Sequence, residues 1–134
     1  MDVKDYLTHS DTIIIPLGST EQHGPHLPLG ADYFQALDLS KRISARTGVV
    51  VAPVLWVGYS PYHAGFPGTL SLQPETMERV LFEVAEYLVQ HGFRRIMFFN
   101  GHGGNGIVQA NVIHQINHRT EAVAVAIGYL SMAH

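Results

Sequence analysis

The chain contains 134 residues, of which 46% are hydrophobic and 14% charged, and its formal net charge is −3 at pH 7. That length suits one domain with a buried core, and the slightly acidic balance argues against a nucleic-acid or anionic-membrane surface. The apolar stretches are shorter than the ~20 residues that span a bilayer, and zero cysteines exclude disulfides and a cysteine nucleophile.

The N-terminus is acidic and lacks the apolar core of a signal peptide. Together with the absence of cysteine, which fits a reducing compartment, this leads us to expect a cytoplasmic protein. The nine histidines outnumber all lysines and arginines, and histidine is the commonest metal ligand among side chains.

Four short apolar runs predict strands that are buried in a sheet, at residues 12–18, 49–56, 95–100 and 122–130. Three stretches of helical periodicity lie between them, over about residues 32–46, 74–91 and 105–118. Apolar Phe34, Leu37 and Ile43 support the first of these helices, and Gly92 suits the C-terminal cap of the second.

The order β-α-β-α-β-α-β predicts an α/β fold, a three-layer sandwich with a mostly parallel four-stranded sheet. We expect residues 1–134 to form a single domain. In a doubly wound sheet with strand order 2-1-3-4, the first and third strands are neighbours, and ligands bind at the crevice between their carboxyl ends. Two loops dense in Gly, Pro and His, at residues 19–31 and 57–73, also follow strand ends.

The first of these loops carries a carboxylate, an imidazole and a second carboxylate. Glu21 and His23 lie two residues apart, and Asp32 follows nine residues later, at the entrance to the first helix. Gathered at one strand end, these groups suit a divalent metal ion. The alternative is a solvated loop in which Asp32 only caps the helix.

A second cluster, Asn100–Gly106, follows the third predicted strand and allows three interpretations. Its glycines match a dinucleotide fingerprint, but the next strand does not end in the acidic residue that this fingerprint expects. The segment also suits a tight packing turn in which His102 is incidental. In the third interpretation His102 binds metal, and the glycines allow close approach to a substrate. The sheet topology favours the third, because the loops after the first and third strands converge.

Three segments resemble the creatininase (creatinine amidohydrolase) family in order and over nearly the whole chain. They are GSTEQHGPHLP with Asp32, FPGTLSL at residues 66–72, and NGHGGN at residues 100–105. The resemblance implies a metal-dependent hydrolase of amide-type C–N bonds with a small-molecule amide substrate. It further implies two divalent ions, Zn or Mn with Fe also suited to such ligands, and a homo-oligomer, often a hexamer.

Carried over from the family, the metal ligands fall on Glu21, His23, Asp32 and His102, and Asp32 is the carboxylate shared by both ions. Some relatives place a glutamate ligand where this chain has Gly104, so the chain resembles the NGHGGN branch of deformylases and cofactor-peptide peptidases. That branch takes its remaining ligand from a C-terminal His-Ala-Gly-Glu-like segment. This chain closes on Ala133-His134 instead, and we expect it to hold only the N-terminal part of the site.

The expected chemistry is attack of a metal-activated water on an amide or formamide carbonyl. The resemblance places Tyr62 and His63 along the substrate pocket, and His63 is this chain's candidate for protonating the leaving nitrogen. The backbone N–H groups of Gly103 and Gly104 lie at the positive end of a helix and suit the oxyanion. Asn105 is as suited to bracing the turn as to contacting substrate.

Two further classes of function remain open on the sequence. One is a non-catalytic metal-binding or oligomer-forming module, which the short length favours. The other is a nucleotide-binding domain, which only the glycine pattern favours.

Overall fold

A four-stranded sheet organises residues 1–128, the part of the chain that the computed structural model describes. The strands are β1 (Thr12–Leu17), β2 (Val50–Val51), β3 (Arg95–Asn100) and β4 (Val123–Gly128). The helices are α1 (Val3–Leu7), α2 (Ala31–Thr47), α3 (Pro74–His91) and α4 (Gly106–Arg119). Short 3-10 turns occupy Pro61–His63 and Gly103–Asn105. The strand order is β2-β1-β3-β4 and every described pair is parallel, so the predicted α/β class and order are confirmed.

The sheet separates two apolar clusters, which gives the predicted three layers. Alternate residues of β1 point to opposite faces, so that Ile13 and Ile15 join the larger cluster and Ile14 joins the smaller one. Helices α1, α3 and α4 supply the larger cluster, whereas α2 alone covers the other face. None of the helices within residues 1–128 is long and apolar enough to cross a membrane.

The strand predicted at residues 49–56 is only partly formed. Ala52 still donates a backbone hydrogen bond to Ile14 O at 2.9 Å, but Pro53 has no N–H with which to continue the ladder. Pairing with β1 resumes only at Leu55, in an isolated bridge to Leu17. Residues 52–55 nevertheless run beside β1 to its carboxyl end. The loop that follows them therefore begins at the same edge of the sheet.

Two further differences from the sequence predictions concern helices. Helix α1 was not predicted, because it has only five residues; Asp2 caps it and Tyr6 anchors it against Phe93, with the ring centroids 6.3 Å apart. The apolar residue Phe34 supported the prediction of α2, yet it is 56% exposed. The predicted strand residues beyond Gly128 and the closing residue His134 lie outside the described part of the chain.

Candidate metal centre

The site begins where β1 and β3 end side by side. The parallel register pairs Leu17 with Asn100, so the residues that follow both strands emerge at one level of the sheet edge. A hydrogen bond of 2.8 Å from Gly101 N–H to Leu17 O ties these ends together. The predicted convergence of the loops after the first and third strands is therefore a property of the strand order.

Helix α2 approaches this edge closely enough for Asp32, in its first turn, to reach between the two strand ends. Glycine makes the approach possible, because a Cβ at Gly18 would lie 2.8 Å from Tyr33 Cα. A Cβ at Gly101 would lie 2.7 Å from the carbonyl oxygen of Asp32. Both distances are shorter than van der Waals contact allows, so any other residue at these positions would push α2 away.

Asp32 lies between two imidazoles, with one carboxylate oxygen directed at each. Its Oδ2 is 2.9 Å from His102 Nδ1, and its Oδ1 is 3.1 Å from His23 Nε2. Glu21 adds a second buried carboxylate, whose Oε1 is 3.1 Å from His102 Nδ1 and 3.8 Å from His23 Nε2. The four residues predicted as metal ligands are thus brought together by the fold.

Backbone carbonyls fix the tautomer of each histidine. His102 Nε2 is 2.9 Å from Tyr59 O, and His23 Nδ1 is 3.0 Å from the backbone oxygen of Glu21. A carbonyl oxygen only accepts hydrogen bonds, so these nitrogens carry the protons. The opposite ring nitrogens then present lone pairs to the carboxylates, an arrangement that requires a cation between them. Metal-binding histidines are typically oriented by such carbonyl partners.

Titration behaviour agrees with this demand for positive charge. Burial opposes ionisation of Asp32, but hydrogen bonds from His102 and Ser19 and the nearby imidazoles outweigh it and lower the pKa of this carboxyl. Burial also opposes protonation of His102, but its contacts with Asp32 and the Tyr59 carbonyl and the adjacent carboxylate charges raise the pKa of the imidazole. Both shifts favour a protonated His102 beside an ionised Asp32 when no metal is bound.

The side chain of Glu21 independently indicates that the cluster requires a positive charge. Its Oε2 is buried and has no hydrogen-bond partner among the described residues. An unpartnered carboxylate oxygen in the interior is costly unless it pairs or coordinates a metal. Glu21, Asp32 and His102 each offer a ligand atom, and these atoms lie within 4.8 Å of one another. Carboxylate oxygens combined with imidazole nitrogens suit Zn, Mn or Fe, so the residues present fit such an ion.

Two buried serines complete the surroundings of the cluster, and neither was predicted from the sequence to act there. Ser19 Oγ donates a hydrogen bond to Asp32 Oδ2 at 2.8 Å, and Ser60 Oγ lies 3.2 Å from His102 Nε2. Ser19 lies two residues after the end of β1, in the same motif as Glu21, and this position could have identified it. Ser60 had no such signal, because it meets His102 only through the path of the 57–73 loop.

The glycine-rich turn after β3 ends at Asn105, whose side chain is hydrogen-bonded to three other residues. Asn105 is fully buried and accepts a hydrogen bond from Tyr59 N–H at 3.0 Å. Its amide donates to Gly18 O at 3.1 Å and to Asn100 Oδ1 at 3.2 Å. This burial and these hydrogen bonds favour the bracing role of Asn105, and its predicted contact with substrate stays a prediction.

The two glycines before Asn105 differ in their surroundings. A Cβ at Gly104 would collide with Tyr59 O and with His102 Nε2, so the glycine allows the hydrogen bond that orients His102. Gly103 is exposed and has open space around it. The close packing also explains why a glutamate side chain would not fit at position 104 in this conformation.

The predicted substrate-lining residues Tyr62 and His63 lie on the 3-10 turn Pro61–His63. Tyr62 is 86% exposed. His63 is partly exposed, and its Nε2 is 3.7 Å from the unpartnered Glu21 Oε2. The structure therefore brings His63 to the edge of the cluster and leaves the side chain of Tyr62 in solvent.

The family model described as creatininase, creatinine amidohydrolase, matches residues 1–133 of this chain. The chain therefore belongs to the creatininase family.

Several hydrolases are similar to it in sequence. The 3-dehydro-scyllo-inosose hydrolase of Thermotoga maritima is 38% identical over 107 residues, which cover 79% of this chain and 34% of that protein. The mycofactocin precursor peptide peptidase of Mycobacterium tuberculosis is 40% identical over 106 residues, covering 72% and 42% respectively. The creatinine amidohydrolase of Pseudomonas putida is 35% identical over 100 residues, covering 71% and 38%. The matched part is less than half the length of each of these relatives.

Solved creatininase structures share the fold. A mutant creatininase complexed with creatine matches with a TM-score of 0.89 and 26% identity, over 100% of this chain and 58% of that chain. A mutant creatininase of the Zn-Zn type gives 0.87 and 26%, over 99% and 57%. A manganese creatininase gives 0.83 and 26%, over 96% and 56%.

Proposed function

We propose that this chain is the metal-binding part of a hydrolase that cleaves a non-standard amide, cyclic amide or formamide C–N bond. The observation that carries the proposal is Asp32, which is held between His23 and His102 with one oxygen directed at each. A carboxylate shared in this way suits two neighbouring divalent ions, as the predicted bridging role of Asp32 requires.

In the proposed assignment Glu21, His23, Asp32 and His102 would hold the ions, and Asp32, which lies between the two imidazoles, would be the ligand that they share. Zn or Mn are the proposed ions, and Fe would suit the same ligands. Related creatininases of Zn-Zn and manganese type support this choice. When bound, such ions supply an activated water nucleophile and polarise the carbonyl group of the substrate.

The chain's own residues would position and protonate the substrate. His63 Nε2, at the edge of the cluster, is placed to hand a proton to the leaving nitrogen, which must accept one when the C–N bond breaks. We assign the exposed N–H of Gly103 and that of Gly104 to the developing oxyanion, at the positive end of α4. The exposed Tyr62 would contact the bound amide.

The substrate class rests on the relatives. Those named above are a peptidase, a creatinine amidohydrolase and an inosose hydrolase, so hydrolysis is common to them and their substrates differ. We propose a small-molecule amide for this protein, acted on by a cytoplasmic homo-oligomer, with a hexamer as the expected assembly.

A second candidate function is a metal-binding or oligomer-forming module without turnover. It is favoured by the coverage of the relatives, because the matched part spans only 34% to 42% of their length. Metal binding is common to both candidates, and turnover separates them.

Hydrolysis assays on the zinc- or manganese-loaded chain test the leading proposal. The panel should contain creatinine, an N-formyl arylamine and a short peptide, with ring opening as the readout for creatinine and release of the free amine as the readout for the other two. We expect turnover of one class and its loss in Asp32→Asn, whereas His118→Ala, which changes an exposed histidine of α4, should keep it. A loaded chain that turns over no member of the panel would favour the second candidate.

A further inference from the structure

Gln22 lies between two predicted metal ligands in sequence, yet its side chain points away from them. Its amide spans the gap between two loops. On one side Oε1 is 3.0 Å from the backbone nitrogen of Gly24, and on the other Nε2 is 2.8 Å from His63 Nδ1.

The two contacts determine which atom donates and which atom accepts in each hydrogen bond. The Gly24 N–H can only donate, so the atom of Gln22 that faces it must be the amide oxygen. The amide nitrogen of Gln22 consequently faces His63, and this nitrogen can only donate. His63 Nδ1 must therefore accept, and in the neutral imidazole the ring proton lies on Nε2.

The position of Gln22 is itself well anchored. Its backbone N–H donates to Thr69 Oγ1 at 3.1 Å, and Leu70 N–H donates to Thr20 O at 2.9 Å. These bonds tie the loop that carries Glu21 to the loop that carries His63. The amide of Gln22 therefore cannot rotate away without breaking its bond to Gly24 or losing its contact with His63.

We propose that Gln22 is a positioning residue that keeps His63 in the Nε2–H tautomer and directs that N–H at the metal cluster. His63 Nε2 is 3.7 Å from Glu21 Oε2, the buried oxygen without a partner. In this tautomer His63 presents a proton to the cluster. In the opposite tautomer Nε2 would present a lone pair, and His63 would become an additional metal ligand.

The inference rests on and deepens the proposed function: the Nε2–H of neutral His63 can donate a hydrogen bond to the leaving nitrogen, whereas full transfer of a proton requires the imidazolium, in which Nδ1 is protonated and the Gln22 contact is released. It also accounts for the meeting of five chemically suitable side chains when only four are proposed as ligands. Gln22 holds the fifth, His63, in the protonation state that cannot coordinate.

The test is the tautomer itself, measured in the metal-free chain labelled with 15N-histidine. Long-range 1H–15N correlation spectra at about pH 8.5, well above the ordinary histidine pKa, separate protonated from unprotonated ring nitrogens. The signal of His63 is identified by its loss in His63→Gln. We expect wild-type His63 to show an unprotonated Nδ1 and a protonated Nε2.

Gln22→Glu then reverses the direction of the contact, because a carboxylate can only accept. We expect Nδ1 of His63 to become protonated in this variant. Gln73→Glu adds the same charge at an exposed position before α3 and should leave His63 unchanged. A protonated Nδ1 in the wild type, or an unprotonated Nδ1 in Gln22→Glu, would overturn the assignment. The spectra do not depend on turnover. The tautomer assignment can therefore be refuted while the proposed hydrolase function stands, and the hydrolase function can be refuted while the tautomer assignment stands.

Discussion

Replacement of Asn105 by alanine separates a bracing role from a substrate contact. The change removes three hydrogen bonds: two buried ones to Gly18 O and Asn100 Oδ1, and a partly buried one from Tyr59 N–H. At about 1 kcal/mol for each bond, we expect the free energy of unfolding to decrease by about 3 kcal/mol. An unfolding entropy of ~2.1 cal/mol/K per residue converts this loss into a decrease in Tm of about 10 °C.

The assay is thermal unfolding followed by circular dichroism in the presence of a chelator, which removes any contribution from bound metal. Asn111→Ala, on the helix α4 that follows Asn105, is the matched control, since its side-chain bond to Glu78 Oε1 is exposed. We expect this control to lower the free energy of unfolding by less than about 0.5 kcal/mol. Equal Tm values for Asn105→Ala and the wild type would refute the bracing role.

Three further predictions concern the surroundings of the cluster. Gly104→Ala should lower the free energy of unfolding by about 1–3 kcal/mol in chemical denaturation, because the added Cβ collides with His102. The same collision should weaken zinc binding. Gly103→Ala, whose Cβ would lie in open space, should change neither quantity. Ser19→Ala removes a hydrogen bond to Asp32, so calorimetric titration should show zinc binding weakened by about 10–100-fold; unchanged affinity would contradict this. In the metal-free chain, the lowered pKa of Asp32 adds stability above its ordinary pKa of about 3.9 that is lost as pH falls through the folded value. The raised pKa of His102 adds stability below its ordinary pKa of about 6.5 that is lost as pH rises through the folded value. Tm measured against pH should therefore be highest between these limits, and a Tm that keeps rising above that window would contradict the assignment to His102.

The sequence was sufficient to predict the sheet and the meeting of the four ligands, for a physical reason. Uninterrupted apolar runs separated by amphipathic helices determine a parallel sheet, and its strand order brings the ends of β1 and β3 together. Glu21 and His102 lie within four residues of those ends. Their proximity therefore follows from topology, without knowledge of any side-chain conformation.

The features that could not be predicted depend on packing distances. Ser60 and Gln22 act through contacts with residues about forty positions away, which no local pattern encodes. The exposure of Phe34 has a similar origin, because α2 lies so close to the sheet that its inward side accepts small residues such as Ala36 and Ser40. Apolar periodicity alone does not reveal how near a helix lies to a sheet.

Metal content is the most direct test of the central claim, that Asp32 and its neighbours form a two-ion centre. The purified chain should be loaded with zinc, desalted and analysed by mass spectrometry for bound metal, beside His102→Ala and the exposed control His118→Ala. We predict about two equivalents of zinc in the wild type and in the control, and a clear loss in His102→Ala. A wild-type chain that retains no zinc, or a His102→Ala variant that retains as much as the wild type, would contradict the account.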